Sequence, residues 1–297
     1  MINGIFILDK EGGMTSQTAV RRVQRLLGAD KAGHTGTLDP MATGVLPILL
    51  GRAVKASEYL LTGNKHYTAT LLLGLSTDTE DVTGTPLATS DSIPDEEAVM
   101  SALAAFRGEI MQTPPMYSAL KVGGKKLCDI ARAGGTVERE ARPVTVFSLG
   151  AKRLSEREYS LDVVCSKGTY IRTLCADIGE ALGCHGCMST LRREEAAGFT
   201  ARDALTITEL EAMTPEEREA RVLPTEYIFR SKGAVTLPDF YARLARCGAE
   251  IYLKKIGVSA EAGELLRLYD ARGFFALGEV REYPDGAAIK PVRQFDI

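Results

Sequence analysis

The chain has 297 residues, 45% of them hydrophobic and 25% charged, with a formal net charge of −3. That is ordinary for a globular protein holding one large domain, or one large and one small. No apolar run approaches the roughly 18 residues that span a bilayer and no signal-peptide pattern is present, so a cytoplasmic protein without a membrane partner is expected.

Residues 4–9 alternate weakly and predict a strand that leads into the turn Lys10-Glu11-Gly12-Gly13-Met14. Thr15 or Ser16 then offers an N-cap, and Ala19, Val20, Val23, Leu26 and Leu27 give a helical apolar stripe that stops at Gly28. Arg21, Arg22 and Arg25 lie off that stripe and read equally as a solvated face or as phosphate contacts. The Gly-, Thr- and Pro-rich run 33–44 has neither helical nor strand periodicity and reads as an ordered loop. Residues 52–61 read as helix, and Tyr67, Ala69, Leu71 and Leu73 mark the buried face of a strand. Residues 74–84 form a polar stretch rich in Asp and Thr, and 95–106 a helix that stops near Gly108. An excursion punctuated by Pro and Gly fills about 113–142, with a short helix over 127–132, and strand character returns over 143–150. Such an excursion is usually a lid or a binding loop. A strand over 159–165, a turn and a helix ending at Gly183 follow, then acidic helices from about Thr206. Leu223-Pro224-Thr225 closes a first domain of residues 1–225. The tail, 226–297, carries a helix over 238–247 and a hairpin across Asp270-Ala271-Arg272-Gly273, a small α+β or β-rich unit.

Charge is unevenly distributed. Acids gather over 78–97 and 209–219, while Lys121, Lys125, Lys126, Arg132, Arg139 and Arg142 fall within the excursion. One basic face with an acidic back fits this composition and suits an anionic ligand. The six cysteines show no secreted framework, so reduced thiols are expected. Cys184-His185-Gly186-Cys187 lacks the second ligand pair that a structural zinc site needs. No metal is expected, and no cofactor, since neither a P-loop nor a dinucleotide fingerprint occurs.

The chemistry concentrates in Gly33-His34-Thr35-Gly36-Thr37-Leu38-Asp39-Pro40-Met41-Ala42-Thr43-Gly44, a loop that confines one carboxylate, Asp39. On local chemistry alone, an Asp bonding its own turn is the commoner arrangement. The segment resembles the catalytic loop of the TruB family of pseudouridine synthases, in which the Asp of Gly-His-Thr-Gly-x-Leu-Asp-Pro-x-Ala-x-Gly is the catalytic acid. Four further segments of the first 200 residues are similar to that family's motifs. The opening run from Gly4 to Lys10 with Gly13-Met14-Thr15-Ser16 is one, with Glu11 standing where the family usually has Pro. Lys65-His66-Tyr67, Lys167-Gly168-Thr169-Tyr170-Ile171-Arg172 and Leu191-Arg192-Arg193 are three more. Beyond these four, the basic excursion resembles an RNA-gripping insertion with Lys121 as its matched Lys.

The resemblance implies that Asp39, Tyr67 and Arg172 are catalytic, Tyr67 stacking on a flipped uracil and Arg172 pairing with Asp39 to keep it ionised. It implies that His34, Tyr170, Leu191, Lys121 and Lys10 bind substrate. His34 could also serve as a base near Asp39, but the resemblance favours packing against the RNA in the space that the flipped nucleotide leaves. The implied fold is α+β, a mixed α/β catalytic domain around a bent antiparallel sheet with a small PUA-like RNA-binding domain after it. The implied reaction turns one uridine of the tRNA T-loop, position 55, into pseudouridine by base flipping and an Asp nucleophile. The partner would be the tRNA T-arm stem-loop, with no obligate protein partner and a monomeric enzyme. The rivals are a guide-RNA-dependent rRNA pseudouridine synthase and a non-catalytic tRNA-binding or tRNA-folding protein.

Overall fold

The computed structural model describes residues 2–60 and 63–295. Strand β1 (Gly4–Lys10) leads to helix α1 (Ser16–Leu26), capped by Thr15, whose side chain accepts from the Thr18 amide. The helix buries Ala19, Val20 and Val23, the stripe read from the sequence. Strands β2 (Ala32–His34) and β3 (Thr43–Leu50) flank the Asp39 loop, so both ends of the run 33–44 are strand. A 3₁₀ turn and the short helix α2 (Ser57–Leu60) replace the longer helix expected over 52–61, whose last residue, Leu61, lies outside the described residues.

Strand β4 (Lys65–Leu73) follows, then a small hairpin, β5 (Leu75–Thr77) with β6 (Pro86–Thr89), where the sequence suggests only a polar loop. Helix α3 (Glu96–Ala102) is capped by Asp95 and precedes strand β7 (Gly108–Gln112). Within the excursion, β8 (Lys121–Val122) and β9 (Lys125–Lys126) pair and helix α4 (Leu127–Arg132) packs behind them. Strands β10 (Arg142–Arg153) and β11 (Glu158–Cys165), helix α5 (Ile171–Ala181), and strands β12 (Gly186–Ala196) and β13 (Phe199–Thr200) complete the first sheet. Two capping boxes, Thr206 with Glu209 and Thr214 with Glu217, start α6 (Ile207–Ala212) and α7 (Pro215–Ala220).

The first sheet runs β1-β3-β12-β4-β11-β10-β7, with β2 on β3 and β13 on β12. It is antiparallel except where β12 meets β3 in parallel. One face of it packs on α1 and α5 through Phe6, Leu8, Leu46, Leu71, Leu161 and Leu174. Strand β3 decides where the functional loop emerges. On one edge it pairs with β1 throughout; on the other, β12 takes Thr43 and Gly44 while β2 takes Ile48 to Leu50. Between those two partners the edge is open, and the connection from His34 to Thr43 rises from that gap in mid-sheet. Gly44 sits at φ 104°, and a Cβ there would lie 2.2 Å from the Arg193 carbonyl oxygen, so only glycine lets β12 approach.

The tail forms a second sheet. Strand β14 (Gly233–Thr236), helix α8 (Asp239–Arg246), strand β15 (Ile251–Tyr252), helix α9 (Leu253–Ile256) and strands β16 (Leu265–Asp270), β17 (Gly273–Tyr283) and β18 (Gly286–Gln294) follow in turn. The expected hairpin is β16–β17, and β18 was not foreseen. This sheet, ordered β14-β16-β17-β18-β15, has its own core of Leu268, Phe275, Val280 and Ile289. A cluster of Ala56, Phe229, Leu277 and Phe295 joins it to the first unit. Among the described residues, no helix is long and apolar enough to cross a membrane.

Candidate active site

The Asp39 loop is irregular backbone laid over a sheet, so its polar groups need partners from elsewhere. Ser16 supplies two, its hydroxyl donating to the Leu38 carbonyl and accepting from the Leu38 amide, both at 2.8 Å. Leu38 itself is buried in the main core, which fixes the residue beside Asp39. Lys10 supplies the rest. Its ammonium is wholly inaccessible and donates to the carbonyls of Glu11 at 2.9 Å, Pro40 at 3.2 Å and Ala42 at 2.7 Å. Expected among the substrate-binding residues, Lys10 is instead placed beneath the loop with its three donors occupied. Burial pushes its pKa down to about 8, against the opposing pull of Asp39.

Arg172 enters from the first turn of α5 with its side chain only 5% exposed, and its fork reaches both oxygens of Asp39, Nε to Oδ2 at 2.9 Å and Nη2 to Oδ1 at 3.3 Å. The same guanidinium donates to the carbonyls of Thr79 and Tyr117, each at 2.8 Å. It therefore ties together the Asp39 loop, the turn between β5 and β6, and the start of the excursion. Asp81 stands 3.9 Å from Arg172 Nε and is buried, its carboxylate accepting from the Thr79 and Thr83 hydroxyls. Burial raises the pKa of Asp39 above the ordinary carboxylate value; Arg172 opposes the rise and Asp81 adds to it. The guanidinium effect expected from the sequence is thus present but outweighed. A carboxylate held in one direction and made more basic is a better nucleophile than a solvated one.

Asp39 opens into a cavity of about 640 Å³ walled by Tyr67, Leu191, Tyr170, Tyr117 and Arg172, with Lys65, Lys167, Arg142 and Arg193 also on its lining. Tyr67 on β4 and Leu191 on β12 come from paired strands, so their side chains reach the same wall two residues apart in register. Tyr170 caps the start of α5, where its amide donates to Gln112 Oε1 at 2.7 Å and its carbonyl accepts from Gln112 Nε2 at 3.0 Å. Burial pushes the Tyr67 and Tyr170 hydroxyls up, with Arg193 pulling Tyr67 back and Arg172 doing so for Tyr170. Five of the expected residues, Asp39, Tyr67, Tyr170, Arg172 and Leu191, therefore meet around one space.

The others do not. His34 ends β2 outside the cavity lining, half-buried, with Nδ1 enclosed and lacking a partner. Burial and the nearby Arg193 lower its pKa, which favours a neutral ring. Lys121 is exposed on the β8–β9 hairpin, away from the cavity wall.

Two residues close to the chemistry were not foreseen. Asp81 lies within the acidic stretch 78–97, and Arg193 closes the Leu191-Arg192-Arg193 segment with no role assigned to it. In the fold Arg193 is fully buried opposite Tyr67, its Nε donating to the Val45 carbonyl at 2.7 Å and its Nη2 to the Gly36 carbonyl at 3.2 Å. It fills the open stretch of the β3 edge with a side chain where a strand is missing. Among the described residues no group of His, Cys, Asp and Glu could hold a metal ion. Cys184 and Cys187 are buried with raised pKa values, and His185 pairs with Glu180.

The N-terminal domain model of the TruB family pseudouridylate synthases matches residues 24–171, and the tRNA pseudouridylate synthase B C-terminal domain model matches 172–230. The chain is 44% identical over 279 residues to a tRNA pseudouridine synthase B of Aromatoleum aromaticum, covering 94% of this chain and 89% of that protein. It is 41% identical over 282 residues to the protein of that name from Alkaliphilus oremlandii, covering 94% of each. A solved Cbf5-Nop10-Gar1 complex contains a chain that superposes with a TM-score of 0.72 at 26% identity, over 98% of this chain and 84% of that one. With its carboxylate–guanidinium pair set in a cavity on the first sheet, and with relatives matched over nearly its whole length, the chain belongs to the TruB family of pseudouridylate synthases.

Proposed function

We propose that this chain converts the uridine at position 55, in the T-loop of tRNA, to pseudouridine without a guide RNA or protein partner. The coarser statement follows from the family: the chain is a tRNA pseudouridine synthase, an isomerase. The observation that carries the finer reading is Asp39, aimed into a nucleotide-sized cavity by a buried two-point contact with Arg172.

In this reading the T-arm docks by phosphate contacts and the target nucleotide leaves its stack to enter the cavity between Tyr67 and Leu191. Asp39 attacks the sugar or the base, or removes a sugar proton; the N1–C1′ bond breaks and the ring rejoins through C5. Tyr67 then accepts the proton from C5 while its hydroxyl passes its own proton on, and N1 gains a proton, so that substrate and product hold the same atoms. No electrons are gained or lost and the atoms of product equal those of substrate, so no cofactor is required. Lys121 and its neighbours on the β8–β9 hairpin grip the RNA, and His34 packs against the folded T-loop. Residues 226–295 act as a small PUA-like RNA-binding domain, and the enzyme works as a monomer.

The likeness to a chain solved within a Cbf5-Nop10-Gar1 complex is what favours a rival that needs further components. Incubating the purified chain with an isolated T-arm stem-loop, and mapping pseudouridine at single-nucleotide resolution, separates the readings. Product at the T-loop uridine without added components is expected. A requirement for guide RNA or a second protein would install the rival, and tight binding without product would install a tRNA-folding role.

A further inference from the structure

Arg193, Lys65 and Lys167 occupy one corner of the cavity, and none of them forms an ion pair with a carboxylate among the described residues. Their convergence is geometric. A Cβ built on Gly36 would lie 3.5 Å from Arg193 Nη1 and 3.6 Å from Lys65 Cε, which brings the two side chains together against one glycine of the Asp39 loop. Arg193 is fully buried, Lys65 is half-buried with its ammonium on the Gly63 carbonyl at 3.1 Å, and Lys167 is exposed at the rim. Both Arg193 and Lys167 act to lower the Lys65 pKa, so the three cations repel one another. The two nearby acids, Asp39 and Asp81, are already turned toward Arg172.

A buried guanidinium that meets neutral dipoles and no carboxylate carries a desolvation cost that those dipoles offset incompletely. Two further cations beside it increase that cost. A ligand with a full negative charge would relieve it, whereas a uracil ring brings only neutral edges. The charged atoms of a nucleotide are its phosphate oxygens. We propose that Arg193, Lys65 and Lys167 form a phosphodiester subsite, which takes a backbone phosphate flanking the nucleotide that enters the cavity. The proposal rests on the reading of the chain as a tRNA pseudouridine synthase. It assigns to this corner the anchoring of the flipped nucleotide, as distinct from the docking of the RNA stem on the basic hairpin. Arg193 would then serve twice, closing the β3 edge through Val45 and Gly36 and presenting charge to the phosphate.

The test is a coupling measurement on T-arm stem-loops carrying a single neutral methylphosphonate at each phosphate around the target uridine in turn. Equilibrium binding to the wild-type chain and to Lys65→Met, Lys167→Met and the double variant is measured, with thermal melts to confirm folding. Lys167→Met, at an exposed position, keeps the test available if the half-buried site tolerates change poorly. We expect one flanking methylphosphonate to weaken wild-type binding about tenfold, and to have little further effect on the double variant. The salt slope of binding should fall by about one in the double variant, because a single phosphate is at stake. Equal sensitivity at every phosphate, or a methylphosphonate effect that persists undiminished in the double variant, would overturn the subsite. Binding is read apart from product, so a wild-type chain that formed no pseudouridine would overturn the functional reading while the coupling still decided the corner.

Discussion

Replacing Arg172 by Lys keeps a positive charge on α5 but removes the planar fork, and so tests whether orientation or charge matters at Asp39. In the fold the guanidinium serves four acceptors, the two oxygens of Asp39 and the carbonyls of Thr79 and Tyr117. An ammonium can donate three times from a single point and cannot span acceptors on three different elements. If it follows Asp39, the two carbonyls lose their donor in a region where Arg172 is 5% exposed. Each buried carbonyl left without a donor costs about 1–3 kcal/mol, so the variant should lose about 2–6 kcal/mol of stability. The Asp39 carboxylate should also be free to turn, and a misplacement of about 1 Å can cost on the order of 100-fold in rate. Single-turnover conversion of a saturating T-arm substrate reads the chemical step, and denaturant melts read the stability. A folded Arg172→Lys variant with a wild-type single-turnover rate would refute the argument. A wild-type rate combined with a collapse in RNA affinity would make Arg172 a phosphate contact, which its enclosed donors argue against.

Asp39→Asn should abolish product while leaving tRNA affinity within about threefold, because the amide keeps the shape and loses the nucleophile; pseudouridine mapping and filter binding check both halves. Since burial raises the Asp39 pKa, activity should fall with decreasing pH through a midpoint above the ordinary Asp value of 3.8, and a pH–rate profile of the chemical step with its acid limb at or below that value would contradict the burial argument. The Lys10 pKa is shifted down rather than up: its folded value is about 8 against an ordinary 10.5, so between those values the unfolded chain holds a proton that the native chain has released. Stability should rise with pH across that window by at most about 3 kcal/mol, and denaturant melts at its two ends should show that part of the slope lost in Lys10→Met. Neutralising Lys121, Lys125 and Lys126 together should weaken tRNA binding and reduce its salt slope by up to about three, with the chemical step at saturation preserved; an unchanged slope would move the basic face to Arg21, Arg22 and Arg25.

Some of this site could be read from the sequence because its chemistry sits in short contiguous runs. Asp39 is framed by glycines and Pro40, and Tyr67 opens an alternating strand whose inward period held through Leu73. Strand β3 escaped notice for a physical reason. It is buried on both faces from Gly44 to Leu50, so it shows no alternation, and Pro47 interrupts it. Strand β12 was hidden by bulges between Met188 and Thr190 and between Arg193 and Glu195, which break its period where four charged residues follow one another. Those charges suggest a surface, yet Arg193 points into the molecule because β3 leaves an edge carbonyl there without a strand. Asp81 was invisible for a similar reason. Its burial comes from a bridge to Met188, more than a hundred positions away, and nothing in its own polar neighbourhood signals that.

The cations near Asp39 share a logic that follows from the topology. A loop rising through a gap in a sheet leaves carbonyl oxygens pointing into protein rather than water, and these must be met by donors. Here the donors are charged: Lys10 takes three carbonyls below the loop, Arg193 takes Val45 and Gly36 at the gap, and Arg172 takes Thr79 and Tyr117 across it. Neutral donors could satisfy the same backbone, but they would leave Asp39 and Asp81 buried without compensation. Charged ones fix the irregular backbone and surround the two carboxylates with positive potential in a single arrangement. Arg172 is oriented by carbonyls that belong to other elements, so the direction of Asp39 depends on the hairpin turn at Thr79 and on the excursion at Tyr117 being in place. The excursion that carries the basic hairpin therefore also helps to aim Asp39, and a change near Tyr117 that moves its carbonyl should slow the chemical step even where the Tyr117 ring still lines the cavity.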